Sequence, residues 1–368
     1  MTLIRSDSNV IRTFNLGLIL SMFLLFALGL ATLYSATKGP GLGGLYKAQA
    51  LWFAIGLIIG TALVFIDSQV LEKLAYPAYA TCLLLLGLVL AIGRVGGGSQ
   101  RWLDLKIFHL QPSEIAKVAL VFTLAKYFAD DREGGAYTLR RLVVPGLLVA
   151  PYFVLVLLQP DLGTAGIMFL IAASMVFFLG VHWKSLVIVA VVAMVTGPLA
   201  YRYVLRDYQR ERVKTFLDPG RDARGSGYNA LQCRIAVGSG QITGKGYLKG
   251  TQAQLNFIPE QHTDFIFSVF AEERGFLGGI FLLALYFTYC FFALRTVARA
   301  RGKFEMCLAF GLTTIIFWHF FINLGMVTGV LPIVGVGLPF FSYGGSSLLT
   351  FMVATALLLN LGRKKYIF

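Results

Sequence analysis

The chain has 368 residues, of which 57% are hydrophobic and only 14% are charged, and its mean hydropathy is +0.74. Soluble domains carry about 25% charged residues, so this composition excludes a soluble enzyme and predicts an integral membrane protein. The net charge of +14 does not indicate a nucleic-acid partner. The basic residues fall in loops between apolar segments, where they orient helices and meet the anionic head groups of membrane lipids.

Ten segments of the chain are mostly apolar over about 20 residues, the length that a helix needs to cross the hydrocarbon core of a bilayer. The predicted spans lie near residues 12–36, 46–66, 73–93, 112–128, 141–158, 162–181, 184–204, 265–293, 304–330 and 341–361. This pattern predicts an all-α integral membrane protein with about ten transmembrane helices. Because the sequence contains no tandem repeat and no separate soluble segment, we expect residues 1–368 to form a single polytopic domain.

The basic residues of the short loops predict how the spans are oriented, because cytoplasmic loops carry an excess of Lys and Arg. Most of these residues, including Arg140, Arg141 and Lys184, fall on the side that also holds both termini. We therefore expect both termini in the cytoplasm. The segment 205–264, before the eighth span, is then one large extracytoplasmic loop. Chemistry located there faces outward, which excludes ATP and nucleotide sugars as direct substrates.

A polar motif, QPSEIAK, opens the fourth span and ends at Lys117. Pro112 suits the first turn of a helix, and Glu114 complements the helix dipole there. Glu114 and Lys117 are three residues apart, so they share a helix face and are able to pair. The pair is either a structural ion pair inside the membrane or a site where Lys117 meets phosphate and Glu114 sets its orientation. The preceding RWLDL motif places Arg101 and Trp102 at the outer surface, where a Trp is usually an interfacial anchor.

The segment 205–264 is rich in cations, among them Arg210 and Arg212. One explanation is a solvated basic loop. The other is a cationic bed for a pyrophosphate that carries a lipid tail, because guanidinium groups form paired hydrogen bonds with phosphate oxygens. The GSGQITGKG stretch in this segment is not a Walker loop, because Ser239 stands where that loop requires Gly and Gly246 stands where it requires Ser or Thr.

The stretch FIPEQHTDFIFSVFAEERG is polar at the point where the eighth span should begin. Ionisable groups such as Asp264, Glu272 and Glu273 are costly at a membrane boundary, and they therefore indicate a functional site. We place Asp264 at the centre of that site, with His262 beside it. The structural alternative is that Thr263 or Asp264 caps the eighth span by accepting hydrogen bonds from its free N–H groups. The two roles do not exclude each other.

The stretch LPIVGVGLPFFSYGGSS, from Leu331 to Ser347, combines prolines and glycines with an otherwise apolar sequence. These residues predict non-helical backbone near the membrane. Such backbone is tolerated only where it is buried in protein or lines a polar cavity. We therefore expect this segment to form one wall of the site that contains Asp264.

Taken together, RWLDL with QPSEIAK, QPDLGTA, FIPEQHTDFIFSVFAEERG and LPFFSYGGSS resemble the SEDS proteins of bacterial shape, elongation, division and sporulation, over essentially the whole chain. The wording PEQHTDFIFSVFAEE is most similar to the member that acts in elongation, and the division member is second. The resemblance implies a ten-span peptidoglycan glycosyltransferase of the bacterial cytoplasmic membrane that polymerises lipid II, with a class B penicillin-binding protein as its transpeptidase partner. The family's essential aspartate matches Asp264, its Glu/Lys pair matches Glu114 and Lys117, and its outer-loop tryptophan matches Trp102.

In the reaction that the resemblance implies, a glycan on undecaprenyl pyrophosphate is the donor and lipid II is the acceptor. We expect Asp264 to be the general base for the acceptor hydroxyl. Lys117, Arg101, Arg210 and Arg212 are the candidates to stabilise the leaving pyrophosphate. A divalent cation, Mg²⁺ or Mn²⁺, is neither demanded nor excluded by the sequence.

Two other functions compete with the enzyme. A transporter that flips lipid II would also use ten spans, a polar cavity and intramembrane charges, but it needs comparable polar groups accessible from both faces of the membrane. The charged motifs of this chain concentrate on the outer side, which favours the enzyme. A scaffold that only recruits a transpeptidase would not require the ionisable motifs at all.

Overall fold

The structure is a computed structural model, and it describes residues 15–38, 43–96, 99–104, 109–203, 207–218, 225–254 and 260–363. Helices make up most of these residues. In chain order they are α1 (Leu16–Ala36), α2 (Leu45–Val64), α3 (Ser68–Lys73), α4 (Ala75–Ile92), α5 (Pro112–Asp130), α6 (Val143–Leu158), α7 (Leu162–Leu179), α8 (Trp183–Tyr203), α9 (Asp207–Leu217), α10 (Ser226–Ser239), α11 (Thr251–Gln254), α12 (Ile266–Arg299), α13 (Lys303–Thr328) and α14 (Gly345–Leu361).

Each of the ten predicted spans coincides with one of these helices. Among the described residues, seven helices are long and apolar enough to cross a membrane: α1, α2, α4, α7, α8, α12 and α13. Two more, α6 and α14, are apolar but shorter. The multi-pass helical membrane fold is therefore confirmed, whereas the number of ten crossings stays a prediction.

Helix α5 has the most charged sequence of the predicted spans, yet it lies at the centre of the bundle. It packs against α4 and α13 and buries side chains along most of its length. At its far end, Lys126 Nζ lies 2.9 Å from Glu72 Oε1 and 2.8 Å from Asp130 Oδ1. Protein groups rather than lipid surround the charges of α5, which removes most of the cost of placing them within a membrane.

One cluster of buried apolar side chains extends from Leu18 in α1 to Leu361 in α14. Helices from the beginning, middle and end of the chain contribute to it, and α2 packs against α14 across the full length of the sequence. The prediction of a single domain stays a prediction, and this shared core supports it. Helix α8 is the exception, because its side chains are exposed along nearly its whole length.

The all-α prediction misses a small antiparallel sheet between α4 and α5. Its strands are β1 (Arg94–Gly96), β2 (Ser99–Asp104) and β3 (His109–Leu110), with β2 in the middle. The RWLDL motif lies on β2. The strands have two to six residues, which is too short for a clear alternating pattern in the sequence. They are stabilised by pairing with each other more than by local propensity, so the sequence alone did not predict them.

The described part of segment 205–264 is mostly helical, which the sequence analysis did not predict, and the placement of this segment as one large extracytoplasmic loop stays a prediction. It contains α9, α10 and α11, and α10 packs against both α12 and α13. The many charges and glycines of this segment concealed these short helices in the sequence. The segment therefore forms a structured cover on one end of the bundle.

Glu272 and Glu273, which the sequence analysis took as markers of a functional site, bind the backbone of the neighbouring segment. The buried Glu272 Oε1 accepts hydrogen bonds from Lys245 Nζ at 2.6 Å and from the backbone N–H of Thr251 at 2.9 Å. Glu273 Oε1 accepts one from the N–H of Leu248 at 3.0 Å. Their role in the described structure is to hold residues 245–252 against α12.

The same contact needs glycine at two positions where backbones touch. Gly244 has φ +83°, and a Cβ atom there would lie 2.1 Å from the carbonyl oxygen of Glu273. Gly275 interrupts α12 with φ +66°, and a Cβ atom there would lie 2.3 Å from the N atom of Gly244. Only residues without a Cβ atom allow this approach.

We expect Gly244→Ala to weaken the attachment of residues 240–252 to α12, because the methyl group meets a backbone carbonyl and the left-handed backbone costs about 1–3 kcal/mol. The measurement is the unfolding temperature in detergent together with trypsin cleavage after Lys245 and Lys249. The matched control is Gly238→Ala in α10, where a Cβ atom would have no neighbour within 4 Å. Equal protease resistance of the two variants would contradict this account.

Candidate functional site

Asp264 lies immediately before α12, but it does not cap that helix. Within residues 260–299, the cap position is occupied by Phe265, and no side chain makes a capping hydrogen bond. The capping alternative is therefore wrong. The Asp264 carboxylate is half-buried, and it makes no hydrogen bond or ion pair within the described part of the chain.

The loop from Leu331 to Gly344, named here the wall loop, lies against Asp264. The buried Asn323 of α13 donates one hydrogen bond to the carbonyl oxygen of Asp264 at 2.9 Å and another to that of Val336 at 2.6 Å. Gly335 has φ +73°, and a Cβ atom there would lie 3.2 Å from Asp264 Oδ2. The wall loop therefore forms one side of the space around the carboxylate, and Asn323 joins both parts to α13.

A second set of hydrogen bonds fixes the turn that carries Asp264. The N–H of Tyr343 donates to the carbonyl oxygen of His262 at 2.9 Å, and Ser342 Oγ donates to that of Thr263. Gln49 of α2 donates to the carbonyl oxygen of Ser342 at 2.9 Å. The predicted site residue His262 thus lies beside Asp264 and contributes its backbone to this attachment.

The surroundings of Asp264 raise the pKa of its carboxyl group toward neutral pH. Burial, together with the smaller effect of the negative charge of Glu260, raises the pKa of the Asp264 carboxyl group to about 6. The positive charges of Arg101 and Arg212 act in the opposite direction, and Asp161 adds a smaller upward effect. A carboxylate with a raised pKa beside two arginines is typical of a group that exchanges a proton.

Arg101 connects β2 to the beginning of α7. Its guanidinium group donates to the carbonyl oxygen of Pro160 and lies 3.7 Å from Asp161 Oδ1. Asp161 in turn caps α7 by accepting a hydrogen bond from the N–H of Thr164 at 3.2 Å. A Cβ atom at Gly163 would lie 2.6 Å from the carbonyl oxygen of Val334, so the wall loop rests directly on this end of α7.

The structure separates the other predicted site residues. Arg212 is half-buried and close enough to Asp264 to lower its pKa. Arg210 donates to the carbonyl oxygen of Arg202 at 2.7 Å, at the junction of α8 and α9. Trp102 is half-buried on β2 and, because side chains alternate along a strand, faces away from Arg101. Arg101 and Arg212 thus act on Asp264 through their charge, whereas the contact shown for Arg210 is with Arg202.

Glu114 and Lys117 form an ion pair in the protein interior. Lys117 Nζ lies 2.8 Å from Glu114 Oε1 and 2.7 Å from His319 Nε2, and the Lys117 side chain is fully buried. His319 Nδ1 lies 2.7 Å from the carbonyl oxygen of Ile315, which only accepts hydrogen bonds. Nδ1 therefore carries the proton, and Nε2 accepts a hydrogen bond from Lys117. This geometry favours the structural ion pair, and contact of Lys117 with phosphate stays a prediction.

Sequence reasoning missed two residues of α13, His319, which contacts Lys117, and Asn323, which binds the backbone of Asp264. They lie four residues apart in an otherwise apolar helix, so they share one face of it. Polar side chains inside a membrane helix are rare and usually have a partner. That signal was present in the sequence, but it did not identify Lys117 and Asp264 as the residues they bind.

The described residues contain no group of three or more His, Cys, Asp or Glu side chains that would hold a metal ion by themselves. A Mg²⁺ ion is commonly bound by one or two carboxylates together with phosphate oxygens of the substrate. Asp264 fits that arrangement as the protein ligand, since it is a half-buried carboxylate beside arginines that suit phosphate.

Comparison with known proteins gives a consistent result. Residues 8–367 match the FtsW/RodA/SpoVE family, described as cell cycle proteins. The chain is 40% identical over 318 residues to the peptidoglycan glycosyltransferase MrdB of Escherichia coli, covering 86% of this chain and 85% of that protein. It is 34% identical over 363 residues to a probable peptidoglycan glycosyltransferase FtsW of Geobacter metallireducens, covering 96% of both.

Solved structures agree in fold with this chain. A chain of a peptidoglycan synthase complex that coordinates polymerisation and crosslinking superposes with a TM-score of 0.83 at 33% identity, covering 96% of this chain and 98% of that one. The rod shape determining protein RodA of Thermus thermophilus superposes with a TM-score of 0.71 at 29% identity, covering 96% of this chain and 98% of that one.

We expect Lys117→Met to lower the free energy of unfolding by about 3–5 kcal/mol, because it leaves the Glu114 carboxylate buried without its cation. The double variant Glu114→Gln, Lys117→Met should recover most of that loss. The measurement is thermal unfolding of four purified proteins, wild type, Lys117→Met, Glu114→Gln and the double variant, in the same detergent. Losses that add in the double variant would contradict the ion-pair interpretation.

Proposed function

The chain belongs to the SEDS family of cell cycle proteins that includes FtsW, RodA and SpoVE, and we propose that it polymerises lipid II with Asp264 as the catalytic base. The protein is a peptidoglycan glycosyltransferase of the bacterial inner membrane, as the names of its relatives MrdB and FtsW indicate. The similarity to MrdB and to RodA assigns it to the elongation branch rather than to the division branch.

The reaction joins two lipid-linked substrates. The acceptor is lipid II, and the donor is the growing glycan on undecaprenyl pyrophosphate. The hydroxyl oxygen of the acceptor sugar forms a bond to the anomeric carbon of the donor, and the bond from that carbon to the pyrophosphate breaks. The pyrophosphate leaves with the bonding electrons, and the hydroxyl proton passes to a base.

Asp264 carries this proposal, because it is a half-buried carboxylate with no structural partner in the described chain. Its backbone is held by Asn323, while its side chain remains available. A pKa of about 6 leaves it ionised at neutral pH and still able to hold a proton during the reaction. A positioned base of this kind contributes about 10²- to 10⁴-fold to the rate.

Arg101 and Arg212 are the residues suited to the two pyrophosphate groups of the substrates, of which the donor's is the leaving group. Both act on the pKa of Asp264, so both lie within electrostatic range of the reacting groups. Fixed cations aimed at developing negative charge stabilise the transition state more than the ground state. A Mg²⁺ or Mn²⁺ ion bound by Asp264 and the pyrophosphate would add charge stabilisation of the same kind.

The comparisons favour the enzyme over the lipid II flippase, since the relatives carry the names of glycosyltransferases. The similarity to a chain of a synthase complex that coordinates polymerisation and crosslinking supports a class B penicillin-binding protein as the partner. We further propose that both termini are cytoplasmic and that Asp264 faces outward. The distribution of basic residues in the short loops supports this orientation.

Replacement of Asp264 by Asn should abolish polymerisation, because the amide has the size of the carboxylate but does not accept the proton. The expected loss is at least about 10²-fold. The measurement is glycan-chain formation from purified lipid II by the protein together with its transpeptidase partner. Because the side chain does not cap α12, the unfolding temperature should be unchanged. Polymerisation at the wild-type rate by this variant would refute the proposal.

The rate at low substrate concentration should rise with pH through an apparent pKa near 6, because the base acts only when it is deprotonated. Glu260→Gln removes a negative charge that raises this pKa, so its profile should shift to lower pH. Arg101→Gln removes a positive charge that lowers it, so its profile should shift to higher pH. The measurement is the initial rate from about pH 5 to about pH 8. Shifts in the reverse directions would show that another group controls the profile.

A further inference from the structure

A deep apolar groove lies between α10, α12 and α13, on the opposite side of the wall loop from α7. Its volume is about 600 Å³, and its aromatic walls include Phe267, Phe276 and Phe287. Gly279 and Gly325 also line it. A groove with walls of apolar and aromatic side chains suits a hydrocarbon chain.

Two arginines stand where this groove reaches the wall loop. Arg212 of α9 and Arg234 of α10 line a small cleft of about 20 Å³, and Leu331 lines both the cleft and the groove. Within the described residues, Arg234 makes no hydrogen bond or ion pair and is exposed. Two guanidinium groups at the end of an apolar groove match a lipid whose head group is a pyrophosphate.

The absence of a side chain at Gly329 leaves the space that the Arg234 guanidinium group occupies. Gly329 ends α13 with φ +81°, and a Cβ atom there would lie 2.3 Å from Arg234 Nε. The guanidinium group therefore lies directly against the end of the helix. A purely structural explanation exists, since a cation at a helix C-terminus complements the helix dipole, and the experiment must distinguish it from ligand binding.

A second apolar groove lies on the other side of the wall loop. It also has a volume of about 600 Å³, and it is lined by Gly163, Pro332 and Val334. The two grooves share Phe321 and Leu331, so they are separated by little more than these side chains. Gly163 and Leu162 of this groove follow Asp161, and Arg101 lies 3.7 Å from Asp161 Oδ1.

We propose that the groove between α10, α12 and α13 holds the isoprenoid tail of the donor, and that Arg212 and Arg234 bind its pyrophosphate. This inference rests on the proposed function, in which two lipid-linked substrates meet at Asp264. Only the donor's pyrophosphate leaves and gains charge in the reaction, so it requires the side with two arginines. The acceptor then occupies the side of Arg101, where the cation is partly neutralised by Asp161. Val334 of the wall loop lines the second groove, and the neighbouring Gly335 lies against Asp264.

The test is the binding of undecaprenyl pyrophosphate with a photoreactive group in its tail to the full-length Asp264→Asn protein, which does not turn over. We expect saturable labelling of α12 and α13 within the groove. Arg234→Gln should weaken binding by about 10- to 100-fold, the usual value of a hydrogen bond to a charged group. Gly279→Leu should prevent labelling by filling the groove.

Matched variants control for damage to the fold. Gly279→Ala adds a methyl group 3.8 Å from Phe267, an ordinary contact, and should leave binding unchanged. Arg274→Gln removes the same charge from α12, where the guanidinium lies 5.5 Å from the ring of Tyr247, and should also bind normally. Arg234→Lys keeps the charge at the helix end and should retain stability while losing part of the affinity.

Three results would overturn the inference. They are displacement of the label by an equal concentration of phosphatidylglycerol, labelling confined to the groove beside Pro332, and equal loss of affinity in Arg234→Gln and Arg274→Gln. The first would identify an ordinary membrane lipid as the occupant. None of these results affects the catalytic role of Asp264, which the polymerisation assay tests separately.

Discussion

The site depends on the rule that non-helical backbone among membrane helices must have its polar groups bonded within the protein. The wall loop satisfies it through Asn323, Gln49 and the turn before α12. The same hydrogen bonds fix the peptide group of Asp264. The carboxylate is therefore positioned by bonds to its backbone, which leaves the side chain available for chemistry.

The charged groups of the bundle divide into two kinds. Glu114, Lys117 and Glu272 are buried and bound to partners, and they hold elements together. Asp264 is half-buried beside arginines and has no partner among the described residues. A protein that encloses a carboxylate without pairing it gives up stability at that position, and such positions are expected where function requires them.

The arrangement around the wall loop suits a reaction between two membrane-bound lipids. Both substrates have a tail that stays in the bilayer, so each must reach the reacting groups from the side. The wall loop lines one apolar groove through Pro332 and Val334 and contributes Leu331 to a second, while its Gly335 lies against Asp264. The cations at the site would then bring together two pyrophosphate groups that otherwise repel each other.

The sequence by itself determined the membrane class and the positions of the helices, and it indicated Asp264 as a site residue, because hydropathy and costly ionisable residues are local properties of the chain. Only the tertiary structure decided that Lys117 faces His319 inside the core, that Glu272 secures residues 245–252, and that Asn323 holds the backbone of Asp264. It also revealed the strands around Arg101 and the helices within segment 205–264. These outcomes depend on contacts between residues far apart in the chain, and the pattern of a single sequence does not record which distant side chains meet.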